Sequence, residues 1–91
     1  MDFEWDASKA KSNERKHGVT FEFAAEVFAD GDRLERLDED SSGEEERWAT
    51  IGLVEGMEIY VVYVVRGEVI RLISARRASR YEREAYWNRQ V

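Results

Sequence analysis

The sequence predicts an α+β domain: two N-terminal helices packed on a mainly antiparallel four-stranded sheet, followed by a C-terminal helix. Three observations predict it. Three apolar, β-branched runs within residues 47–76 are joined by two X-Gly links, the pattern of a strand meander. Residues 6–29 carry two helix start signals ahead of amphipathic stretches. Ser79 and Glu82 form a capping box that opens a third helical segment. Ninety-one residues suffice for one domain with a modest core, and no segment repeats.

The bulk properties narrow the class further. There is no cysteine, which removes disulfides and thiolate metal sites and fits a reducing compartment. The longest apolar run, Ile59 to Val65, is too short to cross a bilayer, and the acidic start is no signal peptide. The expectation is a soluble cytoplasmic protein. A net charge of −6 argues against a general nucleic-acid binder. The charge is unevenly spread, however. Asp30 to Glu46 holds nine carboxylates against Arg33 and Arg36, whereas Val69 to Val91 holds six arginines against Glu82 and Glu84. A local phosphate site is therefore compatible with the acidic total.

Taken in order, Asp6 caps a first helix from Ala7 to His17, and Gly18 suits its C-terminal stop. This helix has almost no large apolar residue, so it lies shallowly, with Asn13 satisfying backbone groups where it meets the sheet. Thr20 caps a second, better buried helix, Phe21 to Ala29, with Phe21, Ala24, Ala25 and Phe28 on one stripe. Arg33 to Leu37 is the weak fourth strand, because its leucines do not alternate. Asp38 to Glu46 reads as a mobile charged loop. Strong strands follow at Arg47–Val54, Met57–Val65 and Glu68–Arg76, the middle one apolar on both sides and hence central. The last helix runs from Arg80 to Arg89 without a clean apolar stripe, so the sheet or a partner must hold it.

The two X-Gly links set an expected register. Val54 opposite Met57 puts Ile51 beside Tyr60. Val65 opposite Glu68 puts Val62 beside Arg71 and Tyr60 beside Ile73. Paired residues share a face. One face then carries Trp48, Thr50, Gly52, Ile59, Val61, Tyr63, Val65, Ile70 and Leu72, and should receive the helices, with Gly52 allowing close approach. The open face carries Arg47, Ile51, Leu53, Glu58, Tyr60, Val62, Arg71, Ile73 and Arg77, while Arg76 points toward the helices.

Three segments are familiar together. They are Phe3-Glu-Trp-Asp-x-x-Lys-x-x-x-Asn-x-x-Lys-His-Gly-Val-x-Phe-Glu, Glu45-Glu-Arg-Trp-x-x-Ile-Gly, and Ile70-Arg-x-Ile-Ser-Ala-Arg-Arg-Ala followed by Tyr81-Glu-Arg. In this order they resemble the BrnT family of toxins across nearly the whole chain. The resemblance implies a RelE-like fold and a ribonuclease toxin of a type II toxin–antitoxin pair. It also implies a BrnA-like antitoxin that carries the DNA-binding domain and neutralises the toxin by direct contact, the complex repressing its own operon. Operator DNA is then met only through that hetero-oligomer.

RNA cleavage without a metal or cofactor needs a base for the 2′-OH, cations for the phosphorane and an acid for the leaving oxygen. The expected open face supplies candidates: Glu58 as base, Arg71 and Arg77 for the phosphorane, and Tyr60 for stacking or proton handling. A rim ion pair is the plainer reading of Glu58. Arg76, Arg47, Lys16, His17 and Tyr81 are candidate RNA-binding residues. Helix C-terminal capping competes for Arg76 and His17, and plain solvation for Lys16. Ile51, Leu53, Val62 and Ile73 are the candidate antitoxin interface. The competing function is a non-catalytic RelE-like subunit that only holds its partner in a repressor complex.

Overall fold

The computed structural model describes residues 1–38 and 45–88. Most of the charged loop 38–46 and the expected helix end at Arg89 lie outside those residues. The described chain runs β1 (Asp2–Glu4), α1 (Ala7–His17), α2 (Phe21–Ala24, continuing as a 3-10 helix over Ala25–Ala29), β2 (Leu34–Leu37), β3 (Trp48–Val54), β4 (Met57–Arg66), β5 (Val69–Arg77) and α3 (Arg80–Asn88). The sheet has five strands in the order β1-β5-β4-β3-β2, not four. The added strand, β1, pairs in parallel with β5 and places Glu4 opposite Arg71. Only Phe3 in this three-residue strand is apolar, so it carries no periodic signal. Among the described residues, no helix is long and apolar enough to cross a membrane.

Both helix starts form as expected. Asp6 accepts from the Ser8 and Lys9 amides, and Gly18 ends α1 at φ 69°, with its N–H on the Glu14 carbonyl. Thr20 accepts from the Phe23 amide. Phe21, Ala24, Val27 and Phe28 then bury on the sheet face built by Ile59, Val61, Tyr63, Ile70, Leu72 and Ala75. Trp5 and Phe28 add edge-on contacts to Phe21 and Tyr63. Gly52 lies against Val27, as close approach of helix and sheet requires.

The β3–β4 register is the expected one, with Val54 opposite Met57 and Ile51 opposite Tyr60. Glu55 and Gly56 both have positive φ, the signature of a type I′ hairpin with those two residues at its tip. The β4–β5 register differs. Here Gly67 has positive φ and Arg66 pairs with Val69, so Gly67 is the first tip residue and Glu68 the second. That places glycine where a type II′ turn requires it. Arg71 consequently faces Val64, one pair further along the same sheet face. The ladder then slips between Val62 and Tyr63, leaving Ile73 as the extra residue on β5. Beyond that bulge every side chain changes face. Arg76 lies opposite Tyr60 on the face away from α1 and α2, and Arg77 lies opposite Ile59 on the helix side. The expected facings of Arg76 and Arg77 are thus exchanged.

α3 crosses the face opposite to α1 and α2. Tyr86 is buried there with Ile51 and Ala78, while Leu53, Tyr60 and Leu34 pack around them. Polar anchors supply what the missing apolar stripe does not. The Tyr86 hydroxyl donates to Asp30 Oδ2 at 2.6 Å, and Trp87 Nε1 donates to Glu58 Oε2 at 2.8 Å.

Candidate functional site

The register orders the face opposite α1 and α2 into rows. Leu34, Ile51, Tyr60 and Arg76 form one row, and Arg36, Ala49, Val62 and Ser74 the next. Val64, Arg71 and Glu4 form a third. α3 covers the first row, with Ile51 only 7% exposed. The other rows are the floor of the half that α3 leaves uncovered; there Ala49 and Val64 are buried, and Val62, Ser74 and Arg71 are half-buried.

Cations surround that floor. Lys9, Arg47, Arg66 and Arg71 line one concavity together with Glu45, Val64 and Ile73. Arg71 donates to Glu4 Oε2 at 2.6 Å. Arg66 grips Glu45 with two bonds of 2.8 and 2.7 Å, and these hold the Glu45 carboxyl below its ordinary value. Among the described residues, four cations thus stand with two carboxylates, Glu4 and Glu45. Such a surface suits a polyanion that replaces the carboxylates.

Arg76 stands where the covered and uncovered halves meet. Its guanidinium carbon lies 4.2 Å from the Tyr60 ring centroid, and its two terminal nitrogens hold Glu82 at 2.8 and 2.9 Å. Glu82 also accepts from the Ser79 amide at 2.8 Å, and Ser79 Oγ accepts from the Glu82 amide. The capping box that starts α3 is therefore also the counter-ion of Arg76. Burial pushes the Glu82 carboxyl up, but Arg76 and Ser79 together hold it below its ordinary value.

The structure disperses the other candidates. Glu58 is engaged by Trp87, whose indole N–H is the main reason its carboxyl lies below the ordinary value; this makes it a weaker base. Arg77 and His17 share a separate hollow on the helix side, lined also by Thr20, Phe23, Met57 and Ile59. Lys16 is exposed on α1, two turns beyond Lys9. Tyr81 is 76% exposed and borders a small groove between α3 and the sheet, lined also by Leu34, Ala49, Ile51 and Ala85. Of the interface candidates, Ile51 and Leu53 pack under α3, whereas Val62 and Ile73 stay half-buried beyond it. Arg71, Arg76, Tyr60 and Arg47 are the candidates that share one sheet face or its rim. Glu82, Arg66, Glu4 and Trp87 were not candidates. Glu82 was legible only as a cap, and Glu4 needed β1 to reach Arg71. Among the described residues no group of three or more His, Asp or Glu side chains has the arrangement of a metal site.

A family model described as "Ribonuclease toxin, BrnT, of type II toxin-antitoxin system" matches residues 5–82. No protein in a comparison with curated proteins matches the chain.

Proposed function

This chain belongs to the BrnT family of ribonuclease toxins of type II toxin–antitoxin systems, and we propose that it cleaves single-stranded RNA on the uncovered half of its sheet, without a metal. One observation carries this reading: among the described residues, four cations line one concavity with Val64, Ile73 and a single carboxylate, Glu45, in a protein of net charge −6. Arg47, Arg66 and Lys9 hold successive backbone phosphates, and Arg71, fixed on the floor, stabilises the phosphorane formed when the 2′-OH attacks. The new 2′ oxygen–phosphorus bond replaces the bond to the 5′ oxygen, which leaves as a 5′-hydroxyl and takes up one proton as the 2′-OH loses one, so the products are a 2′,3′-cyclic phosphate and a 5′-hydroxyl. Two helices on one face and a cationic open face fit a RelE-like ribonuclease. Cleavage would stop translation until a DNA-binding, BrnA-like antitoxin bound the chain directly, and this pairing would act in the cytoplasm.

Purified chain should cut a single-stranded RNA equally well with and without EDTA. Arg71→Ala should lower the rate on the order of 10²–10³-fold, the usual effect of losing one well-placed oxyanion donor. Undiminished cleavage by that variant would remove Arg71 from the site. A non-catalytic binding subunit is the second reading, and Glu58 favours it, since this candidate base is occupied by Trp87. Tight antitoxin binding by a wild-type chain that cuts no RNA would decide for that reading.

A further inference from the structure

Glu82 sits in a ready-made anion cradle. Its Oε1 receives Arg76 Nη1 and the Ser79 amide, both at 2.8 Å, and its Oε2 receives Arg76 Nη2 at 2.9 Å. Three donors therefore hold two oxygens carried on one atom. That geometry suits a carboxylate and the two non-bridging oxygens of a phosphodiester alike, because arginine binds both through the same fork.

Two contacts orient Arg76 independently of Glu82. Arg76 is stacked on Tyr60, and its Nη1 also donates to the Arg77 carbonyl at 3.3 Å. Both contacts fix the plane of the guanidinium from its own strand and the neighbouring one. The cradle is also accessible. The Arg76 side chain is 37% exposed while that of Glu82 is only 11% exposed, so an anion can reach the guanidinium before the carboxylate leaves. Ser74 and Val62 lie in the next row, so the cradle continues the uncovered floor where Arg71 stands.

We propose that Arg76 and the Ser79 amide form a phosphodiester-binding subsite that the chain's own Glu82 occupies when no RNA is bound. The subsite rests on the RNA reading given above and extends its track across β5 from Arg71 to Arg76. RNA entering it displaces the Glu82 carboxylate from Arg76 and the Ser79 amide, while Ser79 Oγ still accepts from the Glu82 amide at the start of α3. Tyr86 and Trp87 still tether α3 to the sheet.

The test is Glu82→Gln, which removes the competing charge while its amide oxygen can still accept from Ser79. Binding of a short single-stranded RNA, followed by fluorescence anisotropy, should tighten on the order of tenfold, about one charge-assisted contact. Adding Arg76→Ala should abolish that gain. A parallel measurement on the wild-type chain does not depend on the variant folding. Inorganic phosphate should move the NMR resonances of the Arg76 side chain and the Ser79 amide over the concentrations at which Arg71 responds. Wild-type protein that binds RNA through Arg71, with no gain in Glu82→Gln and no phosphate response at Arg76, overturns the subsite and leaves the RNA reading standing. A phosphate response at Arg76 and Ser79 in a chain that binds no RNA upholds the cradle and overturns the RNA reading.

Discussion

Asn13 holds Ala75 by both of its backbone groups, donating from Nδ2 to the carbonyl at 2.8 Å and accepting from the amide on Oδ1 at 3.0 Å. The same Nδ2 donates to the Val19 carbonyl at 3.0 Å. β1 pairs only with Val69 to Arg71, so beyond Arg71 the outer edge of β5 has lost its neighbouring strand. One side-chain amide replaces that strand beside Arg76. Asn13→Ala strips three hydrogen bonds from a buried site and should destabilise the fold by about 3 kcal/mol. Asn13→Asp should be no better, because it sets a carboxylate against two carbonyls. Urea midpoints at constant slope measure both. A loss below about 0.5 kcal/mol in either variant, the size of an ordinary surface change, would contradict the clamp.

Gly52 tests the opposite side of the sheet. A Cβ there would stand 3.0 Å from Val27 Cβ and 3.2 Å from the Val27 carbonyl oxygen. One of these neighbours is backbone, so α2 and β3 must separate to admit a methyl group. Gly52→Ala should cost about 1–3 kcal/mol, the usual penalty for overpacking a filled core. The RNA floor lies on the other face, so RNA affinity below the unfolding transition should not change. Unaltered thermal stability would show that the helix layer yields more readily than this packing implies.

The helices, their caps and the β3–β4 hairpin were legible because each is written locally. Asp6, Thr20 and Gly18 sit where capping chemistry needs them, and Glu55-Gly56 fits the turn it makes. The β4–β5 hairpin was not legible. Arg66-Gly67-Glu68 permits two tip assignments, and only the folded sheet selects the one with Gly67 first. The bulge at Ile73 leaves no mark in the sequence, yet it decides which of Arg76 and Arg77 joins Arg71. The candidate site was therefore readable in its residue types, while its membership depended on one inserted residue. Glu4 and Arg66 escaped for another reason: one needs a three-residue parallel strand and the other a turn displaced by one position.

The basic floor makes a prediction about salt. For a single strand, each neutralised phosphate contributes roughly −0.7 to the slope of log affinity against log salt. Removing Arg71, Arg66 or Arg47 should reduce the steepness by about that amount each and weaken binding at low salt. Lys11 lies two residues from Lys9, on the far side of α1, so Lys11→Ala should leave the slope unchanged. Glu4→Gln should strengthen binding, since Arg71 loses the carboxylate now 2.6 Å away. Equal slopes for the Arg71 and Lys11 variants would mean that RNA is attracted by charge at large and not held on this floor.

Glu82 links the candidate site to acid stability. Burial raises its carboxyl, but Arg76 and the Ser79 groups outweigh that and hold it below the ordinary 4.5. The unfolded chain then binds this proton more tightly than the folded one. The contribution of Glu82 is complete above about pH 4.5 and is lost as pH falls through the lower folded value. Glu82→Gln has no such proton. The stability difference between wild type and Glu82→Gln should therefore be largest near neutrality and shrink steadily below pH 4.5. Asp6, Glu45 and Glu58 also lie below their ordinary values. They are present in both proteins, so their acid losses cancel in the difference. Urea unfolding of the pair across this range measures it. A difference that stays constant as the pH falls would show that the Glu82 carboxylate gains nothing from Arg76 in the folded chain.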